Sequence, residues 1–432
     1  MCYFLTFEKK LAQSYDKYLG SAKIKGIYLQ VYRINPKFVG KMITMKRVMA
    51  LWLSLCCIYP IEIHAQEPDT TTTIHHIEAD VIPSTILHTN RYLQGGNAER
   101  RTMNYAFTAR LKYAFASPEG SMQERIYRGA YQGIGMAIHD FNWQLGHPWS
   151  AFIFQGARIK TISPYINLNY EWNLGLTAGW HPYDIEKNPD NKVIGSRVTA
   201  YIDADLYLNF RLSRHFDLNA GISAIHFSNG NTTVPNAGLN VLGGRMSLAY
   251  YLNRPRQRTQ KQDTIPHFHR HLYYDLVAYG AWYQLGYNTD DGPVIIPGKY
   301  GVFGFNFNPM YGINHWVSTG LSVDGVYDRG ANIYKPLDKK DKSVVTLVPN
   351  KPKTLEQMAI GLSARAEFIM PYFSINVGVG HYLLGAQGDL NEWYQILALK
   401  VHCTHHLFLH IGYSLRDFKY PNHLMLGTGW RF

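Results

Sequence analysis

The sequence predicts an all-β protein: an antiparallel transmembrane β-barrel fold of about sixteen strands, arranged as two tandem eight-stranded barrels. Three observations predict it. Apolar and polar residues alternate with period two in segment after segment, the pattern of strands whose two faces meet different surroundings. The connections between these segments alternate between tight and long, as they do in membrane barrels. Aromatic residues are abundant, with 32 Tyr, 20 Phe and 9 Trp among 432 residues, which suits girdles at two membrane interfaces. One merged sixteen-stranded barrel is the close rival.

The first 65 residues stand apart from this pattern. Val48 to Tyr59 is the longest apolar stretch, preceded by Lys46 and Arg47 and followed by Ile63-His64-Ala65-Gln66. A basic start, a short apolar core and a small residue at the cut describe a secretory signal peptide. The expected start is Met42 or Met45 and the expected cut follows Ala65. Residues before them read as a spurious upstream extension, and 66–75, acidic and Thr-rich, as a flexible leader. No apolar run is long enough for a transmembrane helix. Residues 1–65 carry 10 of the basic and 3 of the acidic residues, so a formal charge of +12 falls to +5 in the remainder. That mild excess makes no case for nucleic acid. Cys2, Cys56 and Cys57 fall in the same segment, which leaves Cys403 without an internal disulfide partner.

The strands then follow almost without a break. The first eight are expected at about 76–87, 102–115, 131–142, 149–160, 166–180, 196–212, 216–228 and 238–252. Eight more are expected at about 271–287, 298–313, 315–329, 355–370, 371–384, 392–404, 406–418 and 423–432. Each meets the roughly 9–11 residues that a tilted strand needs to cross a bilayer. Tight turns fall near Ser213-Arg214, Asn314-His315, Met370-Pro371 and Thr404-His405. Long polar connections fall at 181–195, 229–237, 288–297 and 330–354. At the C-terminus, Leu424, Leu426, Thr428, Trp430 and Phe432 share one face. A last strand ending on Phe432 resembles the C-terminal signal of bacterial outer-membrane barrels.

The rhythm breaks once, at 253–270 (NRPRQRTQKQDTIPHFHR), which reads as a linker between a first barrel at 76–252 and a second at 271–432. The halves resemble each other. SRHFDLNAGISAIHFS from Ser213 aligns with THHLFLHIGYSLRDFK from Thr404, matching His215 with His406, Gly221 with Gly412 and Phe227 with Phe418. The same alignment sets His226 against Asp417 and Ser228 against Lys419, so the second half reads as a degenerate copy.

The stretch Phe216 to Ser228 carries the chemistry. Phe216, Leu218, Ala220, Ile222 and Ala224 make a lipid-facing row, and His226 and Ser228 continue it. Ester cleavage needs a hydroxyl nucleophile, a nearby base and donors for an oxyanion. Residues two apart on a strand point the same way. Asn240 shares parity with Leu242, Met246 and Leu248 on the next strand, again the lipid face. The plain alternative is an interfacial His at a barrel rim beside an ordinary Ser228-Asn229-Gly230 turn.

His226-Phe227-Ser228-Asn229, followed by Pro235-Asn236-Ala237-Gly238-Leu239-Asn240, resembles the outer-membrane lipid A deacylases of the PagL type. Their pattern is His-x-Ser-Asn and then Pro-Asn-x-Gly-x-Glu at this spacing. The resemblance covers roughly 76–252. It implies an eight-stranded barrel in the bacterial outer membrane that removes an ester-linked acyl chain from lipid A of lipopolysaccharide. It further implies Ser228 as nucleophile, His226 as general base, and Asn229 and Asn236 as candidate oxyanion donors, with no cofactor and no metal. The family's orienting Glu falls on Asn240, and an amide in place of a triad carboxylate costs about 10⁴ in turnover. Three outcomes stand open: Asn240 suffices for an impaired enzyme, Asp203 or Asp205 on the preceding strand substitutes, or the chain is inactive.

Other motifs carry less. His267/His269/His271 and His402/His405/His406 read as solvated or interfacial residues rather than metal ligands. No phosphate-binding glycine loop is present. The rival function is a non-catalytic pore or structural barrel. Lumen residues discriminate, because a sixteen-stranded pore should line its lumen with charged and polar side chains whereas a small barrel fills it, and the inward parity of 298–313 and 371–384 is Gly-rich and small, which favours filled barrels.

Overall fold

Alternation builds two closed barrels. The computed structural model describes residues 72–255, 265–289, 292–296, 298–336, 347–349, 351–418 and 420–432. The expected signal segment and upstream extension lie outside the described residues, as does the middle of the linker. The first barrel comprises β1 (Ile74–Ile86), β2 (Tyr105–Ala116), β3 (Tyr131–Asp140), β4 (Gly146–Ser163), β5 (Ile166–Trp180), β6 (Val198–Arg211), β7 (Phe216–Ser228) and β8 (Leu239–Tyr251). Each strand pairs antiparallel with the next, and β8 closes on β1.

The second barrel begins with β9 (Leu272–Tyr283). A hairpin of β10 (Gly286–Thr289) and β11 (Gly292–Ile295) follows, then β12 (Tyr300–Gly312) and β13 (Val317–Asp328). Another short hairpin, β14 (Tyr334–Pro336) with β15 (Leu347–Pro349), leads into β16 (Met358–Ile369). The barrel ends with β17 (Phe373–Leu384), β18 (Trp393–His402), β19 (Leu407–Arg416) and β20 (Tyr420–Arg431), and β20 closes on β9. The sixteen barrel strands divide as expected into eight and eight. Because each set closes on itself, the merged sixteen-stranded arrangement is excluded.

Two details differ from the sequence reading. The β2–β3 connection lies on the short-turn side but is long, and holds a helix, α1 (Met122–Ile126), capped by Ser121 accepting from Glu124 N. The β3–β4 and β19–β20 connections lie on the long-loop side but are short. The loop asymmetry is therefore a tendency, set by what each loop does.

Parity assigns the faces. Ile134, Met136 and Ile138 on β3, Ile202 and Leu206 on β6, and Leu242, Met246 and Leu248 on β8 point outward. The inward positions fill the lumen with charge. In the first barrel Arg110 meets Asp80 at 2.6 Å and Asp205 at 3.0 Å, and also pairs with Asp203. Lys112 meets Glu171 at 2.8 Å and Glu78 at 3.0 Å. Arg245 reaches Glu78 at 2.7 Å and Asp205 at 2.8 Å. In the second barrel Arg365 pairs with Asp324 at 2.7 Å, while Lys400 and Arg431 converge on Asp275 and Glu367. These buried ions compensate one another, as ions withdrawn from water must. Towards the long loops an aromatic plug of Phe141, Trp180, Tyr201 and Phe227 closes the first lumen. A filled interior of this kind argues against the pore reading.

The duplication is visible in the turns. Ser213 Oγ accepts from the N–H groups of His215 and Phe216, and Thr404 Oγ1 accepts from those of His406 and Leu407. His215 Nδ1–H donates to Tyr251 O, and His406 Nδ1–H donates to Arg431 O. The two turns are the same device at equivalent points of two barrels.

Candidate active site

β7 carries the site because its parity is unbroken to the end. Phe227 points inward and is fully buried, its ring 5.0 Å from that of Trp180 and 5.1 Å from that of His139. That anchor turns its neighbours His226 and Ser228 outward, at the long-loop end of the strand, where both are half-buried. On β8, Asn240 stands directly opposite His226 in the antiparallel register. Cross-strand partners on one face lie within side-chain reach, and here His226 Nδ1–H donates to Asn240 Oδ1 at 2.7 Å. This bond holds the ring proton on Nδ1 and leaves Nε2 as the basic nitrogen.

The 229–238 connection wraps around the hydroxyl. Ser228 Oγ accepts from Asn236 Nδ2 at 3.0 Å and from Gly230 N at 3.1 Å. Both of its lone-pair directions are thereby met by donors, and its own proton is left to give. In this state no hydrogen bond joins Ser228 to His226 among the described contacts. Catalytic hydrogen bonds in unliganded sites commonly tighten only when substrate is bound.

Asn229 serves the loop instead. Its N–H donates to Asn236 Oδ1 at 3.1 Å, and its amide nitrogen donates to Thr233 O at 2.8 Å. Asn236 is thus oriented from both ends, with its oxygen on Asn229 N and its nitrogen on Ser228 Oγ. The donor that sequence reasoning missed is the Gly230 backbone N–H. The signal was present in Ser-Asn-Gly, since Gly230 has φ +62°, a conformation glycine adopts without strain.

Gly238 is required for a second reason. It has φ +74°, and a β-carbon there would lie 3.0 Å from His226 Cε1. The missing side chain makes room for the imidazole. The loop before β6 supports this turn, because Ala237 N donates to Lys192 O and Gly238 N to Val193 O. That loop is itself turned by Asp184. Its carboxylate accepts the N–H groups of Lys187 and Glu186, which hold it below the usual carboxylate range.

The carboxylates considered as substitutes for Asn240 are corrected by the structure. Asp203 and Asp205 lie in the lumen with Arg110 and Arg245, on the other face of the sheet from His226. Asn240 is the residue that orients the imidazole.

Among the described residues the degenerate copy shows no counterpart of this arrangement. β19 ends at Arg416, and Asp417 turns the chain with φ +49° while its carboxylate accepts from Trp393 N. Lys419 lies outside the described residues. Of the histidine clusters, His402 Nε2 bonds Ser374 Oγ and His271 Nδ1 bonds His269 O. Among the described residues no group of three or more His, Cys, Asp or Glu is placed to hold a metal.

A family model described as lipid A 3-O-deacylase (PagL) matches residues 107–249, and one described as acyloxyacyl hydrolase, C-terminal domain, matches 272–432. The chain belongs to the PagL family. The second match begins at Leu272, the first residue of β9. Closed antiparallel eight-stranded barrels with apolar outer faces are the architecture of bacterial outer-membrane proteins. Among solved structures, the outer membrane enzyme PagL aligns at 15% identity with a TM-score of 0.29, covering 39% of this chain and 97% of its own. The N-terminal β-barrel domain of Pseudomonas aeruginosa OprF aligns at 5% and 0.25, covering 42% and 100%. Neisserial surface protein A aligns at 11% and 0.26, covering 41% and 96%. No curated protein matches the chain significantly.

Proposed function

We propose that this PagL-family protein hydrolyses an ester-linked acyl chain of lipid A at the outward surface of its first barrel. The observation that carries the reading is a single cluster. Asn240 Oδ1 holds His226 Nδ1–H at 2.7 Å, while Asn236 and Gly230 donate to Ser228 Oγ, all on the lipid face at the long-loop end. In a barrel with its long loops outside the cell, that end lies at the outer leaflet. An acyl chain in that leaflet meets the cluster without entering the filled lumen.

Ser228 Oγ attacks the ester carbonyl carbon, and its proton passes to His226 Nε2. The carbonyl oxygen becomes an oxyanion and takes over the donors that Oγ now occupies, Asn236 Nδ2–H and the Gly230 N–H. Collapse breaks the bond to the sugar oxygen, which leaves with the proton from Nε2. Water then enters, with His226 again as base, and releases the fatty acid from Ser228. Asn240 orients the ring but brings no negative charge to the imidazolium, so the enzyme is slow for its class. No cofactor takes part. The expected leader ends earlier, because Ile74 and His75 already pair in β1; residues before 74 serve as a leader, 74–252 as the catalytic barrel, 253–270 as a linker and 271–432 as its companion.

The test is mass spectrometry of lipid A from cells expressing the protein or its Ser228→Ala variant. The parent is expected to remove one acyl chain and the variant none. An unchanged acyl pattern in both refutes the reading.

A further inference from the structure

The second barrel touches the loop that holds the nucleophile. Gln284, just past β9, makes two hydrogen bonds to the 229–238 connection. Its backbone N–H donates to Asn231 O at 2.9 Å, and its side-chain Oε1 accepts from Val234 N at 3.0 Å. Asn231 Oδ1 in turn accepts from Asn236 Nδ2 at 3.2 Å, the same nitrogen that reaches Ser228 Oγ. Leu424, on the outward face of β20, packs against the loop's first turn at Gly230. A β-carbon built on Gly230 would lie 2.9 Å from its Cδ2 and Cγ. Gly230 is the other donor to Ser228 Oγ. Each donor around the hydroxyl is therefore backed by one element of the second barrel.

Geometry explains why a brace is needed. The connection holds two consecutive residues with positive φ, Gly230 and Asn231. Its only strand anchors are the ends of β7 and β8. Its C-terminal end is tied to the loop before β6 through Ala237 and Gly238, and further along the connection a donor must hold its place to a few tenths of an ångström to serve an oxyanion. Towards the other end of the molecule the barrels are joined independently. Trp316 Nε1 donates to Ile126 O at 2.6 Å, and the Trp172 and Phe373 rings meet edge to face at 5.1 Å. The companion barrel is thus fixed as a body, and Gln284 and Leu424 are presented from it.

We infer that the second barrel is a positioning element for catalysis, with Gln284 and Leu424 holding the 229–238 loop so that Gly230 N–H and Asn236 Nδ2 stay on Ser228. This inference rests on the esterase reading above for its kinetic consequence. Neither residue touches the reacting atoms.

The test uses the full-length protein and the variants Gln284→Ala, Gln284→Glu and Leu424→Ala, each checked for the barrel's heat-modifiable gel mobility. Two readouts are taken: amide hydrogen exchange across 229–238, and steady-state deacylation of lipid A. Gln284→Ala is expected to raise exchange in the loop. Its kcat should fall about 10- to 100-fold, the range for a misplaced catalytic group, with KM little changed. Gln284→Glu keeps an acceptor for Val234 N and should restore both. Leu424→Ala should act in the same direction as Gln284→Ala. Unchanged loop exchange in Gln284→Ala overturns the inference whatever the activity. Parental kcat in an active preparation of that variant overturns it as well. A parent inert on lipid A, with exchange still raised in Gln284→Ala, sinks the esterase reading while the brace stands.

Discussion

Asn240→Asp should make this protein a faster enzyme. The substitution is isosteric, so a carboxylate oxygen takes the place of Oδ1, 2.7 Å from His226 Nδ1. The tautomer is already correct in the parent; what the amide lacks is charge. When the Ser228 proton reaches Nε2, the ring becomes a cation roughly 4 Å from the new carboxylate, an attraction of about 4 kcal/mol at an effective dielectric constant of 20. Asn240 is half-buried, so part of that gain is offset by desolvating the carboxylate in the resting enzyme. A net gain of about 2–3 kcal/mol corresponds to roughly 30- to 150-fold in kcat, within the 10⁴ that separates amide from carboxylate in serine triads. The assay is the time course of fatty-acid release from lipid A, with Asn240→Leu as the control that removes the acceptor. A folded Asn240→Asp that is no faster than the parent refutes the assignment of Asn240 as the orienting residue.

Asn236→Ala should lower kcat by about 10²- to 10³-fold, the cost of one oxyanion donor. Asn229→Ala should do less to kcat and more to loop order, read as hydrogen exchange over 229–238. Gly238→Ala meets a left-handed backbone penalty of about 1–2 kcal/mol and a contact at 3.0 Å with His226 Cε1. It should lose most activity while keeping the folded mobility of the barrel. Arg245→Ala leaves Glu78 and Asp205 without their shortest cationic partner in the lumen. Removing one member of a buried ion set costs about 3–5 kcal/mol, so the temperature at which the folded gel band disappears should fall. The acyl pattern produced below that temperature should not change.

Much of the fold was legible because a strand in a membrane barrel has little freedom. Phe216 to Ser228 alternates without a fault, and each alternate residue declares a face. The same rule carried His226, Ser228 and Asn240 to one surface. It was also sufficient to reject Asp203 and Asp205. With Ile202, Ala204 and Leu206 outward, Asp203 and Asp205 had to point into the lumen. What was not legible depends on backbone and on distance. Gly230 acts through its N–H, which no residue type announces, and Asn229 and Asn236 could be told apart only by which amide faces the hydroxyl. Helix α1 lay in a segment read only as a connection. The contact of Gln284 with Asn231 and Val234 joins positions whose relation is set by how two closed bodies lie side by side, and periodicity within a chain carries no information about that.

Among the described residues the two barrels share a scaffold but only the first carries the proposed site, and the difference between the copies says what that site consists of. The turns at Ser213 and Thr404 are built alike, as are the strands that leave them, so the scaffold that presents a residue at position 226 is available in both halves. What the second half lacks is the chain beyond. β7 runs on to Ser228 and is followed by a ten-residue connection carrying Gly230, Asn236 and Gly238, whereas β19 stops at Arg416 and turns at once through Asp417 and Phe418. A His and a Ser on a lipid-facing strand are polar groups in an apolar place, tolerable where their hydrogen bonds are met. In the first barrel the loop meets them, with Asn236 and Gly230 on the hydroxyl and Gly238 clearing space for the ring. Without that loop the pair would have little to bond with, and in the second barrel the position aligned with His226 is Asp417, which turns the chain at once. The proposed catalytic unit is therefore the strand end together with its connection, and the barrel beside it bears on that connection rather than repeating it.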